Sequence, residues 1–258
     1  MVSNLDCIGL GVSDEAELDE MLARLLPSCA VLGVAGDVEV RRWQDASGAR
    51  LVIGLRGGEP FELLPSYAGP VGARLGGLRP MTEDVVEADV VDDQGETLTR
   101  AALELEERRF LAGDGHAGPV PVALVALGTE VSLHRDAGAF GRSASSLVGS
   151  RQGTGRRQGH VRGAAGKPMR LSAESFLAYG LFGDPGAYCR LHGTVVASEV
   201  RKNDVSGREF VAALVRCAGF EVTLCTPCDG LAAPPEPGNV LGGTSFLVGS
   251  APSIIGSA

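Results

Sequence analysis

The cysteines and histidines are the residues of this chain whose chemistry depends most on spacing. Cys225 and Cys228 form a CxxC pair, the spacing found in redox thiols and in one half of a zinc site. A complete zinc site needs two further ligands, and Cys189, Cys217 and His192 lie in flanking segments that could converge on the pair. No second CxxC and no histidine pair with metal spacing is present. Structural thiols are therefore favoured over a zinc site and over a redox pair.

Glycine-rich stretches raise the question of phosphate binding. Gly153-Thr154-Gly155 and Gly166-Lys167 have partial similarity to nucleotide-binding loops. The full pattern would require glycine in place of Val161, a hydroxyl residue in place of Pro168, and a buried strand leading into the loop. The sequence also contains no GxSxG, HExxH or EF-hand pattern. It therefore favours a protein without catalytic activity and predicts no cofactor, although distant residues could still form an unrecognised catalytic group.

Charge is segregated along the chain, whose net charge is −9. Residues 1–140 hold 11 basic and 24 acidic residues, and residues 171–258 hold 5 and 8. The segment between them has no acid and seven basic residues, namely Arg142, Arg151, Arg156, Arg157, Arg162, Lys167 and Arg170. Its composition cannot bury enough apolar surface to offset the entropy of ordering it, so we expect a linker or mobile loop.

Composition and the N-terminus bound the class of protein. Apolar residues make up 44% of the chain and charged residues 21%, which predicts a packed core. Only 5% of residues are aromatic while 37 are glycine, which favours a β-rich fold with many turns. The first residues have no basic region leading into an apolar run, and no segment approaches the roughly 20 apolar residues of a membrane span. We therefore expect a cytoplasmic protein with reduced cysteines and no membrane partner.

Hydrophobic periodicity predicts a βαβββ order over the first sixty residues. A strand is expected from Leu5 to Val12, followed by a helix over residues 14–26 in which Asp14 and Glu17 have the spacing of a capping box. Two β-prone runs, residues 38–43 and 50–55, flank a Gly-containing turn and predict a hairpin. Residues 61–64 are expected to add a further strand.

The rest of the chain is predicted to be mainly strands. Expected positions are residues 85–91, 98–111, 120–133, 191–200, 209–216, 220–224 and 240–248, although the charges of 98–111 would also suit a helix. Short antiparallel strands in the last third are typical of a small closed barrel, such as an OB-like fold. The prediction is thus an α+β, β-rich protein with an α+β domain at 1–140, a basic Gly/Ser/Arg linker at 141–170 and an OB-like β-barrel domain at 171–258.

Residues 5–64, about a quarter of the chain, resemble a known family through two short runs. Residues 5–14, LDCIGLGVSD, and residues 42–51, RWQDASGARL, are similar to the first strand and the Asp-Pro-x-Gly hairpin of the vicinal oxygen chelate superfamily, which includes the glyoxalase and bleomycin-resistance proteins. Enzymes of that family hold a divalent metal with a histidine in the first strand and a glutamate after the hairpin. The corresponding residues here are Cys7 and Val52. A thiol beside a valine cannot supply such a site, so the resemblance implies a module that has lost its metal chemistry.

Three functional hypotheses follow from these patterns. The first is a non-catalytic module that binds a small molecule or a protein partner, with a homodimer as one possible state. The second is a protein that binds single-stranded nucleic acid, with Arg156, Arg157 and Lys167 contacting phosphates. The acidic flanks disfavour it, and Phe210, Phe220 and Phe246 have the pattern of core residues. The third is a metal-dependent enzyme of the chelate type that uses ligands outside the aligned positions.

Overall fold

A computed structural model describes residues 2–113, 115–148 and 168–255 of the chain. The described residues contain thirteen strands and two α-helices joined by short 3₁₀ turns, which confirms the α+β, β-rich class. The helices are α1 (Glu15–Leu25) and α2 (Ala137–Arg142). The strands are β1 (Ala30–Ala35), β2 (Val38–Gln44), β3 (Ala49–Arg56), β4 (Glu59–Tyr67), β5 (Ala73–Pro80), β6 (Val86–Val91), β7 (Thr97–Leu105), β8 (Val120–His134), β9 (Ser175–Ala178), β10 (Tyr188–Lys202), β11 (Glu209–Cys217), β12 (Phe220–Pro227) and β13 (Val240–Ser250).

The strand predicted for residues 5–12 is wrong. Residues Asp6–Ile8 form a 3₁₀ turn instead. The Asp6 carboxylate accepts hydrogen bonds from the backbone N–H and the hydroxyl of Ser3, at 2.7 and 2.8 Å, and such local bonds compete with a strand ladder. Gly9 then ends the turn at φ +74°, a conformation that strands do not use.

The predicted first helix is confirmed as α1, together with its capping box. The Asp14 side chain accepts a hydrogen bond from the backbone N–H of Glu17 at 2.9 Å. The Glu17 carboxylate in turn accepts from the backbone N–H of Ser13, the residue before the N-cap, at 2.7 Å, so the box closes one residue earlier than in its usual form. Met21, Leu22 and Leu25 face the core. In the part of the chain that the structure describes, no helix has the length and apolar character needed to cross a bilayer.

A small antiparallel sheet follows α1, with the strand order β1-β2-β3-β4. The predicted hairpin is confirmed as β2 and β3, which pair from Val38 with Arg56 to Gln44 with Arg50. The strand predicted for residues 61–64 is confirmed within the longer β4. Strand β1 was not predicted, so the observed order is one helix followed by four strands.

The other nine strands form one sheet that closes on itself twice. One ring consists of β5, β6, β7, β13 and β8, and the second consists of β10, β11, β12, β8 and β13. Both rings share the antiparallel pair of β8 and β13. In each ring an antiparallel three-strand meander ends in a strand that pairs in parallel, β7 with β13 and β12 with β8. The long strands β8 and β13 therefore connect the two rings and fix the positions of the strands that pair with them.

Two hydrophobic cores lie on either side of this sheet. The first core joins residues from 73 to 126 with residues from 189 to 254, for example Leu103, Leu124, Leu191 and Leu247. The second joins α1 and the small sheet to residues of β8, β11, β12 and β13. The predicted boundary at 141–170 thus separates strands that are hydrogen-bonded to one another, because β5–β8 precede it and β9–β13 follow it.

Candidate functional site

A group of polar side chains lies between α2 and the shared strands. We call it the serine–histidine cluster: Ser132 and His134 on β8, Ser145 in the turn after α2, and His192 on β10. The Phe140 ring of α2 lies against both imidazoles, with its centroid 5.4 Å from that of His134 and 4.6 Å from that of His192. The β pairing of β8 and β10 with β13 brings residues far apart in sequence to this one place.

Ser132 is the centre of the cluster. Its Oγ lies 3.0 Å from Nε2 of His134, 3.2 Å from Oγ of Ser145 and 3.4 Å from the carbonyl oxygen of Gly242. A hydroxyl has one proton to donate, so it can serve only one of these neighbours at a time. Residues 132 and 134 reach each other because side chains two apart on a strand share a face.

Burial keeps both imidazoles neutral near pH 7. It lowers the pKa of His134, and it lowers the pKa of His192 to about 3, with the nearby charge of Arg190 as the second cause. Nδ1 of His192 is buried without a hydrogen-bond partner among the described residues. The cluster is thus an uncharged polar group beneath an aromatic ring.

The chemistry open to this cluster is limited by its surroundings. A serine within 3.0 Å of a neutral imidazole has the first contact of an activated nucleophile. Catalysis of that kind also uses a third group that orients the imidazole. Among the described residues, no carboxylate hydrogen-bonds to His134. The geometry therefore supports hydrogen bonding within the fold better than acyl transfer.

Arginines hold the chain at both ends of residues 149–167. Arg190 on β10 donates to the carbonyl oxygens of Ser145 and Leu147, and Arg170 donates to the carbonyl oxygen of Ser143 at 2.8 Å. Leu147 and Arg170 also form an antiparallel bridge. The chain therefore enters and leaves the acid-free basic segment at one place. The candidate residues Arg156, Arg157 and Lys167 belong to that segment and lie outside the described residues.

Three exposed aromatic side chains lie where β9 and β10 meet. We call them the aromatic rim: Tyr179, Phe182 and Tyr188. Their exposed fractions are 41, 78 and 48%. The register that pairs Ala178 with Cys189 continues toward Tyr179 and Tyr188, and the Tyr188 ring packs edge-on against Phe246 with centroids 5.2 Å apart. Tyr188 is two residues from Arg190, so the rim lies beside the base of the basic segment.

The sequence analysis did not identify the aromatic rim. A signal was present, because Tyr179 and Phe182 stand in the glycine- and proline-containing run YGLFGDPG, where no strand pattern would bury them. The prediction of core positions is confirmed for Phe210 and Phe220, which are buried. Phe246 is only partly buried and packs against the second core.

The CxxC cysteines do not share a site. Cys225 is fully buried in the second core, whereas Cys228 packs against the first core on the other side of the sheet. Cys189 and Cys217 belong to the first core. Burial raises the pKa of the Cys217 thiol to about 12. Across residues 2–113, 115–148 and 168–255, no three His, Cys, Asp or Glu side chains are grouped closely enough to hold a metal ion.

The two positions implied by the family resemblance are both apolar and buried. Cys7 lies in the 3₁₀ turn, where its Sγ donates toward the carbonyl oxygen of Gly128 at 3.4 Å. Burial, with the charge of Asp6 second, raises the pKa of the Cys7 thiol to about 12. Val52 lies in β3 and belongs to the same second core. Neither residue faces a polar cleft that could hold an ion.

A second buried polar group lies at the end of β7. Glu106 accepts hydrogen bonds from Arg42 at 3.1 Å, Arg50 at 3.2 Å and the hydroxyl of Ser66 at 2.6 Å. The neighbouring Glu107 accepts from the hydroxyl of Ser250 at 3.2 Å and the backbone N–H of Ala251 at 2.8 Å. These contacts connect the small sheet to the end of β13, which indicates a structural role.

Comparison with family models, with curated proteins and with solved structures found no match for this chain.

Proposed function

We propose that this protein is a non-catalytic binding protein and that single-stranded nucleic acid is its ligand. One observation carries the proposal: the exposed aromatic rim includes Tyr188 of β10, two residues from Arg190, and the Arg190 side chain binds the chain at Ser145 and Leu147, where the acid-free basic segment begins. Proteins that bind single strands combine aromatic rings, on which bases stack, with cations that follow the phosphates. The rim supplies exposed aromatic rings. Arg142 and Arg170, which are both exposed, supply cations at the two ends of the basic segment.

The strand pairings also support an OB-like interpretation of each ring. In an OB-fold, strands 2 and 3 form the usual ligand-binding face. In the second ring those strands correspond to β11 and β12, whose Phe210, Ala212 and Cys225 are buried under the small sheet and α1. In the first ring they correspond to β6 and β7, where Glu87 and Asp89 are paired with Arg100 at 3.2 and 3.3 Å.

The face of the second ring is covered, and on the face of the first ring the arginine is already paired with carboxylates. The proposed ligand therefore lies elsewhere, on the rim beside β10. The acidic remainder of the protein repels phosphates and would confine them to the basic segment. Binding should accordingly involve few phosphate contacts and stacking of a few bases.

The first test measures the affinity of the protein for a labelled single-stranded oligonucleotide of about 16 nucleotides, by fluorescence anisotropy at low salt. Phe182→Ala should weaken binding about tenfold, because one stacking ring is removed. Phe61→Ala is the matched control, since Phe61 is 43% exposed on the small sheet, where it stacks under Arg56. Absence of binding by the native protein, or equal effects of the two substitutions, would overturn the proposal.

A salt titration tests the basic segment separately. The logarithm of the affinity for a single strand falls with the logarithm of salt concentration by about 0.7 for each phosphate that the protein neutralises. The double substitution Arg156→Ala and Arg157→Ala should reduce this slope by about 0.7 for each phosphate that these two arginines neutralise in the native protein. An unchanged slope would show that Arg156 and Arg157 do not contact phosphates. The role of the rim would then be tested only by Phe182→Ala.

A further inference from the structure

The outer edge of the small sheet is an unprotected strand. Strand β1 pairs only with β2, so its other edge is open among the described residues. Its sequence, AVLGVA, contains no charge and no proline. Val31 and Val34 are 58 and 66% exposed. Proteins usually protect such edges with charges, prolines or short strands, because an open edge pairs with other chains.

Two other edge strands of the described residues show this protection. Strand β4, at the opposite side of the same sheet, contains Pro60, Pro65, Glu59 and Glu62. Strand β9, at the edge of the large sheet, has only four residues. The edge of β1 therefore differs from these two edges in having no such protection, and we expect another strand to pair with it.

The sequence of β1 is almost the same in both directions. An antiparallel pair of two β1 strands related by a twofold axis would place Ala30 opposite Ala35, Val31 opposite Val34, and Leu32 opposite Gly33 of the second copy. The irregularity in the pairing of β1 with β2 falls between Val31 and Gly33, next to the axis, so the residues on either side of it keep a regular register. Each copy would present the same edge to the other, as a self-complementary twofold interface requires.

The neighbouring strand is compatible with this arrangement. Val31 and Val34 lie next to Arg41 and Glu39 of β2, and these two residues form an ion pair at 2.7 Å. The surface beside the edge therefore adds no net charge that would repel a second copy. Directly opposed β-branched side chains stabilise a strand pair.

We propose that this protein forms a homodimer through antiparallel pairing of two β1 strands, which joins the two small sheets into one eight-stranded sheet. The Gly33 side of β1 is covered by Phe110, which lies 2.9 Å from the position that a Cβ of Gly33 would occupy. The interface is therefore made by the edge and by the outward-facing valines. It is separate from the aromatic rim, so it does not depend on nucleic-acid binding.

Sedimentation equilibrium of the full chain at several concentrations tests the proposal. The native protein should show a mass that rises from 26.6 kDa toward twice that value. Val34→Lys should raise the dimer dissociation constant about tenfold. Because of the twofold symmetry, one substitution replaces a valine in both Val31–Val34 pairs, and it also places a charged lysine at the edge of each copy. Val71→Lys is the matched control, because Val71 is equally exposed but lies outside the strands.

Cysteine cross-linking tests the register. A mixture of the Val31→Cys and Val34→Cys variants should form a disulfide-linked dimer under mild oxidation, whereas each variant alone should form no more than the native protein. Directly opposed residues have the separation that a disulfide needs. The proposal is overturned by a native protein that stays monomeric, by a dimer that Val34→Lys leaves intact, or by equal cross-linking in the mixture and the separate variants.

Discussion

Glu106 and Glu107 are adjacent in sequence and both almost fully buried, yet their electrostatic surroundings differ. Two arginines and a hydroxyl surround the carboxylate of Glu106. Glu107 has only neutral donors, the hydroxyl of Ser250 and the N–H of Ala251. Burial, with the charge of Glu106 second, raises the pKa of Glu107 to about 7. One carboxylate is thus compensated by cations and the other is not.

This difference predicts a pH-dependent stability. A carboxyl whose pKa rises on folding contributes stability below its ordinary pKa of 4.5 and loses that contribution as the pH rises through about 7. Glu104, whose pKa burial also raises to about 7, acts in the same direction. His134 and His192, whose pKa values burial lowers, act in the opposite direction over the same pH range. The contribution of Glu107 is therefore measured as a difference: relative to the native protein, Glu107→Gln should gain up to about 3 kcal/mol of unfolding free energy between pH 5 and pH 8.

Glu96→Gln is the control, because Glu96 is exposed and the same atoms change. The free energy of unfolding at the two pH values is the measurement for all three proteins. A Glu107→Gln protein whose unfolding free energy changes between pH 5 and pH 8 by the same amount as that of the native protein would contradict the prediction.

Sequence reasoning could not have located these charges. The sequence from Glu104 to Arg109 is compatible with both a helix and a strand, so it does not predict which side chains face the core. Clustered charged residues are also ordinarily exposed to solvent. Arg108 is buried beside Glu62 of β4, which lies 46 positions earlier in the chain. Such a partnership arises from the packing of two sheets, and no local pattern encodes it.

At the scale of single elements, local signals predicted most strands correctly. The hairpin of β2 and β3 and the strands β6, β8, β10, β11, β12 and β13 are confirmed, because β-branched runs between turn residues describe them well. Strand β5 was missed. Its sequence, ARLGGLRP, contains adjacent glycines and no β-branched residue, so it is a strand because β6 and β8 pair with it.

The capping box of α1 gives a prediction at this scale. Asp14→Ala removes the hydrogen bond to the N–H of Glu17 and should cost about 1 kcal/mol of stability. Asp19→Ala, an exposed site inside the same helix, should cost nothing, because alanine is the better helix former there. Chemical denaturation of both variants measures the effect. Equal stability of the two would show that the cap contributes nothing.

At the scale of the whole molecule, the closure of the sheet decides the architecture. Strands β8 and β13 belong to both rings, and residues of both also pack under the small sheet in the second core. Sequence patterns describe each strand but not its partners, since these pairings join residues more than one hundred positions apart. The prediction of two domains at 1–140 and 171–258 rested on local composition, which contains no information about those pairings.

The shared strands predict that the chain unfolds as one unit. Trp43 is the only tryptophan, and it lies in the second core, where Val125, Phe210 and Val248 from the large sheet join the side chains of the small sheet. Its fluorescence therefore reports the small sheet, while circular dichroism reports the strands of both sheets. Unfolding of either sheet alone would expose the second core to water. The fluorescence of Trp43 and the circular dichroism should therefore change at the same urea concentration.

The fragment 1–140 provides the control for this prediction. It contains β8 but neither β12 nor β13, so the apolar side chains and backbone groups of β8 that pair with them would face water. The fragment should lack a cooperative transition. A Trp43 transition at clearly lower urea than the circular dichroism transition, or a folded 1–140 fragment, would show instead that the small sheet and the first strands form an independent unit, as two separate domains require.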